Sequence, residues 1–240
     1  MKKIITVCFI VFSAYYVQAQ TTASADTGKK MYWWQIAVGG GIDNGNNMKK
    51  ELNTPSIDSK GASVRYDNFS KVVGARIGGA RNVVEGLMIG GNLTYDMFLT
   101  QSITGLADLS AVRYGGNLTF GPTFYYKNFL INPYGGVGYA YEMLTVENKS
   151  TAKTVNFDLN TPIAVGEKKK YTTDYFMLEV GVGVKKALTK SFAVGLDGGA
   201  YFSPTFGGAW KDGSVAITSR KAPGSNGGFI RLTFAYGRFK

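Results

Sequence analysis

A set of ionisable residues stands at positions that could do chemistry together: the carboxylates Asp96, Glu142, Glu179 and Asp197, and the guanidinium groups of Arg76, Arg113 and Arg231. Paired carboxylates can divide the roles of acid and base. Carboxylates beside arginine form charge-assisted hydrogen bonds instead. The chain has no histidine. That excludes, within this chain, Ser-His-Asp and Cys-His catalysis, His-ligated zinc and a histidine pH switch. Its one cysteine, Cys8, lies in an apolar N-terminal stretch, so the remainder has no disulfide, thiolate ligand or thiol nucleophile. Gly39-Gly40-Gly41 lacks the Gly-Lys-Ser/Thr ending of a phosphate loop. No cofactor or metal set is left. A second candidate is the basic run Lys168-Lys169-Lys170, suited to phosphate groups; its plain alternative is a solvated charge cluster.

Placing these residues requires period-two segments. Apolar and small or polar residues alternate near 32–42, 69–80, 87–99, 112–126, 132–144, 174–185, 191–202 and 229–239. That is the pattern of strands with two unlike faces. Connections after the second, fourth and sixth segments are short, and the others are long. Eight strands with short turns at one end and long loops at the other predict an all-β, eight-stranded antiparallel up-and-down barrel, with both termini at the short-turn end. Gly90-Gly91-Asn92-Leu93-Thr94 recurs as Gly115-Gly116-Asn117-Leu118-Thr119, which reads as a shared need for small residues on one face.

The faces differ in bulk. One carries Trp34, Ile36, Leu93, Tyr95, Leu118, Phe120, Phe176, Leu196, Leu232 and Phe234; the other carries Gly, Ala, Asn, Thr and the ionisable set. An eight-stranded bore is just wide enough for side chains to fill, and 15 Tyr and 15 Phe are more than it holds. The bulky face is therefore expected outside and the small, ionic face inside. Outside is then lipid, where an Arg at the midplane costs ~2–4 kcal/mol; inside, the charges can pair. The expectation is a transmembrane barrel whose lumen carries Arg76, Asp96, Arg113, Glu142, Glu179, Asp197 and Arg231 as a structural ion-pair network.

Residues 1–19 read as a secretory signal peptide: Lys2 and Lys3, the apolar stretch Ile4–Val17, and Ala19 before the cut. Residues 20–30 then form a short periplasmic segment and 31–240 the barrel, with both termini periplasmic. The formal net charge of +11 points to anionic lipid rather than nucleic acid, since no basic helix or finger motif accompanies it. With export established as the expectation, Lys168, Lys169 and Lys170 become candidates for lipopolysaccharide phosphates. Trp210 with Lys211 and Arg220-Lys221 is either a recognition patch or loop filling.

On the signal, the eight alternating segments and the alternation of short and long connections, the chain resembles the small bacterial outer-membrane β-barrels: the OmpA-like transmembrane domain and the opacity and PorT types of the porin family. The last segment, Phe229 to Phe239, is similar to the C-terminal signal read by the barrel-insertion machinery, with Phe234, Tyr236 and Phe239 as its aromatics; Lys240 follows it. The resemblance implies a non-enzymatic envelope protein with a structural or loop-mediated binding role, or a narrow or gated channel for small solutes. Enzymatic barrels generally include a histidine in their sites, so their mechanisms do not carry over. A soluble lipocalin-like carrier is the third reading.

Overall fold

The structure, a computed structural model, describes residues 31–43, 71–84, 86–99, 107–149, 151, 155–156, 162–203, 209–221 and 225–239. The stretch expected to be a signal peptide (1–19), the segment 20–30, Phe69 and Lys240 lie outside the described residues. Within them run the strands β1 (Tyr32–Asp43), β2 (Lys71–Val84), β3 (Leu87–Leu99), β4 (Ala107–Pro122), β5 (Phe124–Tyr126), β6 (Phe129–Asn148), β7 (Val155–Asn156), β8 (Pro162–Ile163), β9 (Lys168–Ala187), β10 (Phe192–Phe202), β11 (Ala209–Asp212), β12 (Val215–Lys221) and β13 (Asn226–Arg238). There is no helix among the described residues.

Eight of these strands close on themselves in the order β1-β2-β3-β4-β6-β9-β10-β13, every pair antiparallel, with β13 returning to β1. Closure leaves no edge in the wall. The register runs from Asp174 of β9 through Tyr141, Tyr114, Tyr95, Ala75, Val38, Leu232 and Leu196. It returns to β9 at Val184, ten residues along. A stagger of that size over eight strands corresponds to a strand tilt of ~40°.

Short turns lie at one end. Gly86 has φ 76° in the turn between β2 and β3, a left-handed conformation that glycine adopts without steric cost. Thr189 Oγ1 accepts from the amides of Ser191 and Phe192 in the turn between β9 and β10. Tyr32 pairs with Arg238, so the start of β1 and the end of β13 share this short-turn end. Pro133 sits where β6 changes partner from β5 to β4, and stands opposite Val182 in the register with β9.

The other end departs from the sequence expectation. β4 begins at Ala107, β6 runs on to Asn148 and β9 begins at Lys168. Strand therefore continues well into stretches expected to be loop, and Lys168-Lys169-Lys170 lies in a strand. A hairpin of β11 and β12 docks on β9 through Lys211 opposite Thr172 and Asp212 opposite Tyr171. The physical reason is that the outward residues of β9 before Phe176 are polar or charged. Lys168, Lys170, Thr172 and Asp174 therefore alternate without the apolar signal that marks a strand.

The two faces are as expected on the outer wall. Trp34, Ile36, Leu93, Leu118, Phe120, Phe176, Ile230 and Tyr236 are all exposed. The bore needs correction, because it is not lined by tiny and ionic residues alone. Trp33, Met88, Leu130, Ala193, Ala235 and Phe239 form an apolar core at the short-turn end. Tyr134, Met177, Tyr201 and Phe229 pack at mid-height. Val72, Phe98, Leu109, Leu144, Val146, Ile163, Tyr171 and Trp210 fill the long-loop end. Glycine makes room for these rings. A Cβ on Gly181 would stand 2.7 Å from the Tyr134 ring, and one on Gly199 would stand 2.9 Å from that of Phe229.

The repeated Gly-Gly-Asn-Leu-Thr has a geometric reading. β3 and β4 pair with Asn92 opposite Asn117 and Gly90 opposite Thr119. The two copies thus face each other about a local two-fold, with both Asn side chains turned inward and buried.

Candidate functional site

Two arginine-centred groups cross the middle of the bore. Each is built from inward positions on several strands, because only every second residue of a strand reaches the lumen. Arg76 on β2 donates from Nη2 to both oxygens of Glu179 on β9, at 2.6 and 2.7 Å, and from Nη1 to Asp197 on β10 at 3.3 Å. The Tyr134 hydroxyl lies 2.9 Å from Asp197 and 3.0 Å from Glu179. Asn117 Nδ2 donates to Glu179 at 2.7 Å.

Arg113 on β4 donates from Nη2 and Nε to Asp96 at 2.6 and 3.1 Å, from Nη1 to Asp43 at 3.3 Å, and from Nη1 to Ser225 Oγ at 2.8 Å. Asp43 also accepts from Tyr201 at 2.8 Å and pairs closely with Ser225. Arg231 adds to the second group, 3.6 Å from the second oxygen of Asp96. Aromatic faces complete the shell. Phe229 lies 4.1 Å from the Arg231 guanidinium and 5.2 Å from that of Arg76, and Tyr201 lies 4.4 Å from that of Arg113. Rings that sequence volume places outside are accommodated inside because they stack on cations.

The structure thus brings together Arg76, Asp96, Arg113, Glu179, Asp197 and Arg231. Glu142 stands apart. It accepts from Tyr175 at 2.8 Å and forms no ion pair among the described residues. Sequence reading missed Asp43, Tyr134, Tyr201 and Lys185, all buried and inward. Strand parity marks each of them. Asp43 continues the Gly39, Gly41 face, Tyr134 lies between Asn132 and Gly136, Tyr201 follows Gly199, and Lys185 follows Gly183.

Little free space is left around these charges. Two cavities of about 20 and 10 Å³ flank the ionic groups, each about the size of a single water. The first is lined by Arg76, Asn92, Asn132, Tyr134, Lys185 and Asp197, and the second by Asp96, Arg113, Tyr201 and Arg231. Apolar cores lie beyond both. Neither cavity has a carrier's capacity. Among the described residues no group of three or more Cys, Asp or Glu could hold a metal ion.

The other sequence candidates are spread out. Lys168 and Lys170 share the outward face of β9, while Lys169 takes the opposite, half-buried face. Glu147 receives Lys168 and Lys149, each at 2.9 Å, and hydrogen bonds from Lys149 and then Lys168 hold its carboxyl below the usual range. Trp210 is fully buried in the core at the long-loop end, so it fills space rather than presenting a recognition surface. Phe234 and Tyr236 face outward, whereas Phe239 turns inward and stacks on Trp33 with ring centroids 6.1 Å apart. The three aromatics therefore do not share a face.

A closed, eight-stranded, antiparallel barrel with a bulky apolar exterior and an ionic bore is the fold of the small outer-membrane β-barrels. A major outer membrane protein from Thermus thermophilus superposes with a TM-score of 0.53 at 10% identity, over 88% of this chain and all of that one. Neisserial surface protein A gives a TM-score of 0.44 at 14% identity, over 87% of this chain and 99% of that one. The attachment invasion locus protein of Yersinia pestis gives 0.44 at 10%, over 86% and 97%. No protein-family model and no curated protein matches the sequence.

Proposed function

We propose that the protein is a non-enzymatic, non-conducting β-barrel of the bacterial outer membrane whose partners are met at its long-loop end. The observation that carries this is the pairing of an apolar exterior with a bore closed at three levels. On β9 the outward residues between Asp174 and Lys186 are Phe176, Leu178, Val180, Val182 and Val184. At ~3.3 Å per residue and ~40° of tilt, that interval spans roughly 30 Å, the thickness of a hydrocarbon core. Basic residues Arg81, Lys127, Lys186, Lys190 and Arg238 are exposed at the short-turn end. They suit phosphates of the inner leaflet, an orientation in which the start of β1 and the end of β13 face the periplasm. Phe234 and Tyr236, outward on the closing strand, are the groups available to the insertion machinery.

Nothing in the ionic groups offers a catalytic pair, because each of their carboxylates is held by arginine or by hydroxyls. The full chain, folded in detergent, is expected to resist SDS at room temperature and to change its gel mobility only on boiling. It is also expected to stay with the membrane on fractionation. Unchanged mobility with and without boiling, or a soluble protein in the absence of detergent, would overturn the reading.

A further inference from the structure

The ionisable side chains buried in the bore do not balance. Among the described residues the cations are Arg76, Arg113, Lys185 and Arg231, and the acids are Asp43, Asp96, Glu142, Glu179 and Asp197. Asp43, Asp96, Glu179 and Asp197 each lie within ion-pair distance of an arginine. Glu142 is the acid left over. Its Oε2 accepts from Tyr175 at 2.8 Å, and its Oε1 has no hydrogen-bond partner. On β9, Thr173 stands directly opposite it, with Tyr171 and Tyr175 to either side on the same inward face. Thr173 precedes Asp174, so Glu142 sits beyond the apolar interval of β9. On β4, Arg113 stands directly opposite Glu142, yet its guanidinium serves other groups. Nε and Nη2 go to Asp96, and Nη1 goes to Asp43 and Ser225. Asp43 adds a like charge that opposes ionisation of Glu142. Neither of the two cavities borders Glu142.

With Glu142 ionised, the four cations face five anions and one charge is left uncompensated. With Glu142 protonated, the buried charges cancel. A buried carboxyl without a cation of its own keeps its proton rather than its charge. We propose that Glu142 is a proton-operated latch on the long-loop end of the barrel. With the proton on, Arg113 is free to hold Asp43 and Ser225. With the proton off, Glu142 competes for Arg113 from the opposite strand. Asp43 ends β1 and Ser225 precedes β13, and these are the two strands that close the barrel, with Asp43 opposite Gly227. Loss of proton therefore loosens the seam at the long-loop mouth, while the apolar cores stay in place. The sign follows from linkage. The unfolded carboxyl releases its proton near its ordinary value of ~4.3, and the folded one holds it to higher pH. The latch is therefore closed in acid and is lost as pH rises to the folded value.

The test uses the folded full chain in phospholipid vesicles, unaltered and as E142Q, with heat-modifiability gels to confirm folding. Infrared spectra at neutral pH are expected to show the carbonyl stretch of a protonated carboxyl in the unaltered protein. The band is expected to vanish on alkalinisation and to be missing from E142Q. In urea the two proteins are expected to unfold alike near about pH 4, while near about pH 9 the unfolding constant of the unaltered protein exceeds that of E142Q by ~10-fold or more. Hydrogen exchange around Asp43 and Gly227 is expected to accelerate at the alkaline end in the unaltered protein alone. No protonated band at neutral pH, or the same band in E142Q, would overturn the proton assignment. A titrating band with unchanged exchange around Asp43 and Gly227 would overturn the latch, and the unaltered protein alone decides that. An E142Q variant no more stable than the unaltered protein in alkali would overturn both.

Discussion

The outer wall and the bore of this barrel obey different rules. On the wall, each large apolar side chain meets solvent or lipid independently, and its position follows from strand parity. In the bore, each side chain depends on others. Arg76 is tolerable only because Glu179, Asp197 and Tyr134 converge on it from three other strands. Arg113 likewise needs Asp96, Asp43 and Ser225. Substitutions on the wall should therefore scale with depth, and substitutions in the bore with the number of partners left unpaired.

The largest effect is expected at Arg113. Replacing it with alanine leaves Asp43 and Asp96 buried without their shared cation, a loss of ~3–5 kcal/mol, read as a lowered urea midpoint for unfolding in lipid. A loss under 1 kcal/mol would show that water, not arginine, compensates those carboxylates. Next is V180R, at the middle of the apolar interval on β9, with an expected cost of ~2–4 kcal/mol. The same substitution at Thr172, beyond Asp174, is expected to cost less than 1 kcal/mol. Equal costs at the two positions would erase the band.

G181V comes third. Its side chain meets the Tyr134 ring, and overpacking of this kind costs ~1–3 kcal/mol. The half-buried Gly91, whose added Cβ would meet nothing nearer than 3.7 Å, should tolerate valine. The smallest effect is expected for Y95L. Tyr95 and Tyr114 lie 5.3 Å apart on the wall, and losing that ring pair is worth ~0.5–1.5 kcal/mol.

The same contrast explains what the sequence discloses. The wall was legible: Trp34, Ile36, Leu118 and Ile230 announce their face by period two alone. The ionic residues Arg76, Asp96, Arg113, Glu179, Asp197 and Arg231 were legible as inward for the same reason. Their pairing was not, because most of it joins strands distant in sequence, and Glu142 shows that sharing the face does not confer an ion-pair partner. Tyr134, Tyr201 and Phe229 were hidden by a volume argument that treats the bore as uniform. In the structure, glycines at 181, 199 and 227 clear space for those rings. The ends of β4, β6 and β9 were hidden for a different reason. There the outward face is polar, and Lys168 to Thr173 then reads as loop although it is paired throughout with β6.

A bore filled by apolar cores at both ends and by arginine-centred ion pairs between them should pass no ions. Planar-bilayer recording of the folded full chain tests it most directly. No steady current above the bare-membrane baseline is expected across the usual voltage range. A reproducible, ion-selective steady conductance from a homogeneous, heat-modifiable preparation would contradict it.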